Sequence, residues 1–331
     1  MVNNMVIKKI APLLTILLIA NTTWADTYSK EEKTTNFIVT PSIAYRYDVF
    51  KWSIPAYTVP DKKVSELTWK NYIVQPSIKI ETEPQENWFT FLAQGKYGYI
   101  LKNKSKSWDK DWEFHKPKRS NKIKSKIYSN TVSAVKGNIF DLSGAIGYSV
   151  NLFGDNLLTF YLGYDYSNYK NSNYGARQLV DNQNYVVFSS DQLVTRYNFK
   201  TKAPWIGLSV NIPINDKFLV KPIIKYYSFK YVGKGYWVHR DDLKQNPSLK
   251  HNAKGQGFGA DIDLVYKYSN NLDFNINLGT KNFKMRKGQA QDFIKAMRAY
   301  TTHTPQRTVT RKLWDLSFRS YSISSGIKYS F

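Results

Sequence analysis

The last fifteen residues of the chain, 317–331, alternate between apolar side chains and small or polar ones. From Tyr321 onwards, one set of alternate positions is apolar except for Ser325, and it comprises Tyr321, Ile323, Ile327, Tyr329 and Phe331. Because successive side chains of a β-strand point to opposite faces, this segment has one apolar and one polar face. A membrane-spanning barrel requires strands of this length and pattern. A surface strand of a soluble β-sandwich is the alternative that this segment alone leaves open.

Similar alternation recurs along the chain, in segments separated by connections that are alternately short and long. We predict strands near residues 35–48, 64–82, 87–101, 126–150, 156–169, 196–213, 217–231, 255–268, 271–285 and 317–331. The short connections are rich in Asn, Asp, Pro and Gly, which favour tight turns, and they cover 83–86, 151–155, 214–216 and 269–270. The long connections cover roughly 49–63, 102–125, 170–195, 232–254 and 286–316.

This arrangement predicts an all-β fold, namely a ten-stranded antiparallel transmembrane β-barrel with five long extracellular loops and four short periplasmic turns. An even number of strands closes an antiparallel barrel, and closure leaves no unpaired backbone edge in the lipid. A carboxylate that faces acyl chains is very costly. We therefore expect Asp261, Asp263 and Asp273 to face the lumen and to pair with lysine or arginine there.

The N-terminal segment has the organisation of a secretory signal peptide. Lys8 and Lys9 precede an apolar stretch of eleven residues, 10–20, which is too short to span a bilayer as a helix. Thr23 and Ala25 supply small residues at the two recognition positions, so cleavage is expected after Ala25. We therefore predict a signal peptide over residues 1–25, a barrel over residues 26–331 and a location in the bacterial outer membrane.

Composition narrows the choice of partners. The chain has no cysteine, so neither disulfides nor thiolate chemistry are expected. Its 25 Tyr, 18 Phe and 9 Trp suit the two aromatic girdles of a membrane barrel. A net charge of +23 at pH 7 predicts an anionic neighbour. For an exported chain, outer-membrane lipid and the phosphates of lipopolysaccharide fit better than nucleic acid, and a plain solvated surface is the alternative.

Few residues are suited to catalysis. The four histidines, His115, His239, His251 and His303, lie in predicted long loops. They lack the spacing of zinc ligands, so no metal and no cofactor are predicted. Asp109 and Asp111 are two residues apart, which places them on one face of an extended segment. Two neighbouring carboxylates raise the pKa of one of them and can hold and polarise a water molecule. A solvated acidic pair in a surface loop is the alternative.

Several stretches resemble known families. The C-terminal segment resembles the last strand of bacterial outer-membrane proteins, whose final Phe is recognised by the barrel-assembly machinery, so Phe331 is expected to make that contact. Three segments resemble the omptins, a family of ten-stranded outer-membrane proteases. They are VSELTWK at 64–70, DKDW at 109–112 and KAPWIGL at 202–208. The FDL sequence at 140–142 echoes the same family.

The omptin resemblance implies an aspartic endopeptidase that acts on an extracellular peptide or protein. Asp109 and Asp111 would bind and polarise a water molecule, and His239 would take its proton as the general base. Asp241, two residues after His239, would orient the imidazole. Lipopolysaccharide would act as an activator, bound in part by Lys200, which aligns with a basic residue of the family.

Two functions of different classes stay open at this point, because two acidic positions of the family are changed. Trp237 stands two residues before His239, where the family has the carboxylate that orients the histidine, and Gly235 stands at an acidic pocket position. One hypothesis is an omptin-type surface endopeptidase. The other is a non-catalytic, omptin-shaped outer-membrane protein with a porin-like, adhesive or structural role.

Overall fold

The computed structural model describes residues 36–56, 59, 62–115, 123–153, 156–180, 185–298, 303–304 and 306–331. The predicted signal peptide, residues 1–25, lies outside the described residues. The strands are β1 Phe37–Pro55, β2 Lys63–Thr82, β3 Trp88–Ile100, β4 Lys106–His115, β5 Lys124–Phe153, β6 Asn156–Gln178, β7 Tyr185–Pro213, β8 Phe218–Trp237, β9 Leu249–Lys267, β10 Leu272–Ile294, β11 Met297–Arg298, β12 His303–Thr304, β13 Arg307–Lys312 and β14 Asp315–Ser330. None of these residues belongs to a helix long and apolar enough to cross a membrane.

The large sheet is antiparallel throughout, and it closes because β1 pairs with both β2 and β14. β3 and β4 lie end to end between β2 and β5, and β13 and β14 lie end to end along β10. Each of these two couples fills one place, so the twelve strands of the closed sheet occupy a ring of ten places. The predicted ten-stranded antiparallel barrel is confirmed.

The strands run further on the loop side than the alternation predicted. β5 begins at Lys124, β6 ends at Gln178 and β8 ends at Trp237, so much of the predicted long loops is paired strand. Beyond the lipid, the outer face of an antiparallel sheet can meet water, so pairing continues there without an apolar stripe to reveal it. At the opposite end, consecutive strands are separated by only a few residues, as between Thr82 and Trp88.

The two faces of the wall differ as the sequence predicted. Large apolar side chains are exposed on the outer face, among them Ile78, Leu162 and Ile206. On the inner face, Asp261 pairs with Lys225 at 3.0 Å and Asp263 lies 3.6 Å from Lys79. Asp273 lies two residues before Asn275, which lines the lumen, and it faces Lys328 in the strand register. The predicted lumen position of the three carboxylates is confirmed.

Ion pairs connect opposite walls of the lumen within the membrane-spanning part. Arg46 of β1 donates to Asp48 at 2.8 Å and reaches across to Asp141 of β5 at 2.7 Å. Lys281 of β10 bonds Asp165 of β6 at 2.5 Å. Around these pairs lies a cavity of about 150 Å³. The lumen is therefore a polar space whose charges compensate one another.

An aromatic layer closes the lumen on its extracellular side. Phe50 of β1 stacks on Phe199 of β7, with ring centroids 4.4 Å apart, although the two strands lie on opposite sides of the ring. Trp69 of β2 stacks on Tyr197 of β7 at 4.9 Å. The layer consists of buried rings from seven strands: Phe50, Trp52, Trp69, Tyr169, Tyr197, Phe199, Tyr227, Phe229, Tyr231, Phe283 and Phe318. These aromatic residues thus fill the barrel, while others, such as Tyr99 and Phe258, are exposed on its outer wall.

Outward cations border the lipid-facing belt on its loop side at every place of the ring. We call this set the basic collar, and it comprises Lys51, Lys70, Lys106, Lys136, Lys170, Lys200, Lys202, Lys230, Lys254, Lys284 and Arg319. Lysine and arginine keep their charge in water there while their stems lie along the wall. The collar accounts for part of the net charge of +23 and places it at the loop-side edge of the apolar belt.

Removal of Arg46 tests the lumen network. Arg46→Met leaves Asp48 and Asp141 without their guanidinium partner, and breaking a buried pair in this way costs about 3–5 kcal/mol of unfolding free energy. Arg46→Met/Asp48→Asn should recover part of the loss because one uncompensated carboxylate is gone. Urea unfolding in lipid vesicles measures this, with Lys217→Met in an exposed turn as the matched control. Equal stability of Arg46→Met and wild type would contradict the network.

Candidate active site at the extracellular mouth

The two carboxylates singled out by the sequence lie on β4, beyond the aromatic layer. Asp109 pairs in register with Leu67 of β2 and Thr131 of β5, and Asp111 with Ser65 and Ser129. A β-bulge follows directly after Asp111. The strand alternation therefore holds up to Asp111 and places both carboxylates on one face, as the two-residue spacing predicted.

The surroundings of the pair favour its protonated form. Burial raises the pKa of Asp109 well above its ordinary value, and the charge of Asp111 raises it further. Burial also raises the pKa of Asp111, against the hydrogen bond from Ser65, which lowers it. Among the described residues, Asp109 Oδ1 is buried and has no hydrogen-bond partner. A desolvated, coupled carboxylate pair with an orphan oxygen is a mark of a functional site.

A cation reaches the pair from the connection between β8 and β9. The charge of Arg240 lowers the pKa of both Asp109 and Asp111, which puts its guanidinium within electrostatic range of them. Arg240 also holds Asp242 through two hydrogen bonds of 2.7 and 2.6 Å. Sequence reasoning missed Arg240, since only the fold shows that this connection extends towards β4. Its position next to His239 in the chain was the one available signal.

The described contacts of His239 lie on β7. Its ring stacks on Phe188 with centroids 4.4 Å apart, and its Nε2 donates to the Leu193 carbonyl at 3.0 Å. β8 ends at Trp237, so His239 and Asp241 lie in a turn, and the strand spacing that would place them on one face does not apply. The assignment of His239 as the base and of Asp241 as its orienting group stays a prediction.

Apolar packing occupies the two positions, Trp237 and Gly235, at which the omptin resemblance expects acidic residues. Trp237 meets the edge of Trp52, with ring centroids 6.5 Å apart. A Cβ atom at Gly235 would lie 2.1 Å from the Trp237 ring and 2.9 Å from Leu249. The packing around Gly235 therefore leaves no room for the acidic side chain that the omptin resemblance expects there. The tryptophan and the glycine form one complementary unit of the aromatic core.

Of the other histidines, His251 is structural. It is buried in β9, its Nδ1 is hydrogen-bonded to the Tyr197 hydroxyl at 2.8 Å, and its ring meets Trp52 edge-on with centroids 4.6 Å apart. Burial lowers its pKa to about 3, and the charge of Arg311 adds to this, so the ring is neutral at physiological pH. Within the described part of the chain, no three side chains of His, Asp or Glu converge as a metal cluster.

The remaining predicted contact residues lie on the outside of the barrel. Lys200 is exposed on β7 between Asn168 and Val232 of the neighbouring strands, as one member of the basic collar. Phe331 donates its backbone N–H to Phe37 at 2.9 Å, and its side chain is 71% exposed at the periplasmic end. Both are accessible to the partners predicted for them.

The raised pKa of Asp109 makes a prediction for stability. In the folded state Asp109 keeps its proton to a higher pH than in the unfolded chain. Asp109 therefore lowers the free energy of unfolding once the pH exceeds the ordinary carboxyl pKa near 4. Asp109→Asn should therefore stabilise the barrel at pH 7 and change it little at pH 3. Urea unfolding across this range measures the difference, with Asp216→Asn in an exposed turn as the control. A gap between wild type and variant that does not grow with pH would contradict a desolvated Asp109.

Comparison with a solved structure agrees with this architecture. The outer membrane protease OmpT from Escherichia coli is similar in structure, with a TM-score of 0.70 and 14% identity over 92% of this chain and 99% of that one. The NalP translocator domain from Neisseria meningitidis has a TM-score of 0.40, with 11% identity over 97% and 96% of the two chains. No curated protein sequence matches. The model of the Pom family, described as Protochlamydia outer membrane protein, matches residues 41–331. The chain therefore belongs to the Protochlamydia outer membrane protein family and is an outer-membrane β-barrel with an omptin-like fold.

Proposed function

We propose that the extracellular mouth is a hydrolytic site, and that the chain is a surface endopeptidase in which Asp109 and Asp111 activate water. The observation that carries this proposal is the buried, unpartnered Oδ1 of Asp109 beside the second carboxylate. An oxygen of this kind is costly unless a ligand or a water molecule completes it. A water molecule held between the two carboxylates is the group that completes it.

The proton balance of the pair suits this role. With both pKa values raised, each carboxylate holds a proton more readily than an ordinary aspartate, and whichever of the two is ionised polarises the water. His239 is the proposed base. Because its Nε2 donates to Leu193, the free lone pair is on Nδ1, and that nitrogen takes the proton as water attacks the scissile carbonyl. Arg240 would stabilise negative charge on the carbonyl oxygen.

The proposal extends to three partners. The substrate is a peptide or protein segment that enters the mouth from outside, since the aromatic layer closes the barrel below it. Lipopolysaccharide is the proposed activator, with Lys200 binding one of its phosphates as a point charge. The exposed Phe331 side chain is the proposed contact for the barrel-assembly machinery.

Peptide cleavage tests the hydrolytic proposal directly. Barrel refolded with lipopolysaccharide should cleave members of a mixed peptide library. Asp109→Asn, Asp111→Asn and His239→Ala should each slow cleavage by about 10²–10⁴-fold, the usual worth of a positioned proton-transfer group. Asp191→Asn, an exposed carboxylate on β7, is the matched control and should keep the wild-type rate. Mass spectrometry of the peptides gives both rate and bond. A library left intact by the folded wild-type barrel would exclude the enzyme.

A non-catalytic barrel is the second candidate, and a specific observation favours it. Trp237 and Gly235 stand at the two positions where the omptin resemblance expects acidic residues. They pack with Trp52 and Leu249, so apolar contacts take the place of the expected charges. Within this candidate, an adhesive or structural role fits better than a pore. The stacked rings of Phe50, Phe199 and other members of the aromatic layer fill the lumen between opposite walls.

Conductance separates a pore from a closed barrel. Wild-type protein in a planar bilayer should show no steady, porin-sized conductance, because rings from opposite walls are in contact. Trp69→Ala/Tyr197→Ala removes two stacked rings and should raise conductance. Val232→Ala on the outer wall removes an exposed side chain instead and serves as the control. Large, stable channels formed by the wild type would contradict the closed lumen and favour the porin-like role.

A further inference from the structure

An apolar groove runs along the outer wall where β9, β10, β14 and β1 lie side by side. It is open to the outside, has a volume of about 490 Å³, and is lined by Tyr45, Tyr47, Ala260, Ile262, Thr280 and Tyr321 among others. This volume is within the range of ligand sites, about 300–1,000 Å³. The groove belongs to the lipid-facing belt, since Ile262, Leu278 and Ile323 are exposed on the outer face.

The sequence explains why the wall is hollow at this point. Ala260 and Thr280 are paired in register on β9 and β10, and both are small outward residues. On the next strand, Tyr321 pairs with Thr280 and with Tyr47 of β1, so two large rings rise beside the two small side chains. One row further into the membrane, Ile262, Leu278 and Ile323 continue the wall. The groove is therefore built by side-chain size rather than by a break in the sheet.

Unpaired cations lie directly beyond the groove. Arg319 is two residues from Tyr321 on the same face of β14, and Lys284 follows one row later on β10. In the described part of the chain, neither side chain has a hydrogen bond or ion pair, and neither does Lys254 on β9. Lys51 on the adjoining β1 differs, because it lies 3.4 Å from Asp315 and 3.7 Å from Glu66. Positive charge without a protein partner thus caps one end of an apolar groove.

We propose that this groove is a binding site for a phosphorylated lipid of the outer leaflet. One acyl chain lies over Ala260 and Thr280 between the tyrosines and Ile262, and the phosphate is bound by Arg319 and Lys284. An acyl methylene gains little free energy when it moves from the bulk lipid into the groove. The affinity therefore rests on the charge-assisted contacts to the phosphate, while the groove determines where the lipid lies. A second copy of the barrel fits less well, since its own unpaired cations would face these.

This site is separate from the hydrolytic mouth and from Lys200. Lys200 lies on β7, which is three places away from β10 in the ring. The basic collar alone would attract anionic headgroups equally to every wall, whereas the groove selects one wall. Loss of this lipid site and loss of peptide cleavage are therefore independent outcomes.

Native mass spectrometry of the refolded barrel in a neutral detergent tests the proposal. Diphosphoryl lipid A is the probe, with its dephosphorylated form and inorganic pyrophosphate as comparison ligands. Wild type should retain one phosphorylated lipid more tightly than any further copy, and the two comparison ligands should bind at least tenfold more weakly. Arg319→Gln/Lys284→Gln should weaken binding at least tenfold by removing the headgroup contacts. Ala260→Phe/Thr280→Phe should do the same by filling the groove with side chains that the lipid-facing wall tolerates.

The matched control uses the same collar on another wall. Lys136→Gln/Lys170→Gln removes two exposed cations from β5 and β6 without touching the groove, and it should keep the wild-type lipid affinity. Equal weakening by this control would reduce the site to a general effect of the collar and overturn the proposal. Unchanged binding after the groove is filled, pyrophosphate binding as tight as the lipid, or a barrel dimer in place of the lipid adduct would also overturn it.

Discussion

The need to pair every backbone N–H and C=O inside the lipid governs this structure. Water is absent from the bilayer core, so an open strand edge there would leave several polar groups unsatisfied at a cost of several kcal/mol each. Pairing of β14 with β1 removes the last edge. Once the wall is closed, each strand must turn apolar side chains to the lipid and can turn charged ones inward. The lumen ion pairs of Arg46 and Lys281 follow from that division.

Closure also creates an interior that has to be filled. In the membrane-spanning part the chain fills it with compensated charges, and beyond that part it fills it with stacked aromatic rings. Contacts such as Trp69 on Tyr197 tie opposite walls together and contribute about 0.5–1.5 kcal/mol each beyond the apolar area they bury. The layer gives the extracellular mouth a dry floor. Asp109 and Asp111 lie above that floor, in surroundings that raise the pKa of each.

The sequence predicts the membrane-spanning part well because side chains that face lipid and side chains that face the lumen alternate along each strand. Segments such as 271–285 and 317–331 alternate clearly, since one face meets lipid and the other meets charges. The strand extensions beyond the lipid, such as β8 up to Trp237, carry no such stripe, so they were expected to be loops. The spacing of Asp109 and Asp111 was enough to place the pair on one face. The approach of Arg240 was not predictable, because it depends on the path of a connection from a distant strand.

The central claim is the closed ring, and disulfide trapping at the β1–β14 seam tests it most directly. The chain has no cysteine, so a pair can be introduced on a clean background. Ala44 and Ser324 are partners in register, while Ser320 is four residues away along β14. Paired residues have Cβ atoms about 4.5–5.5 Å apart, close to disulfide distance. Ala44→Cys/Ser324→Cys should crosslink efficiently in folded barrel, and Ala44→Cys/Ser320→Cys should not. Equal crosslinking of the two pairs, or none in either, would contradict closure in this register.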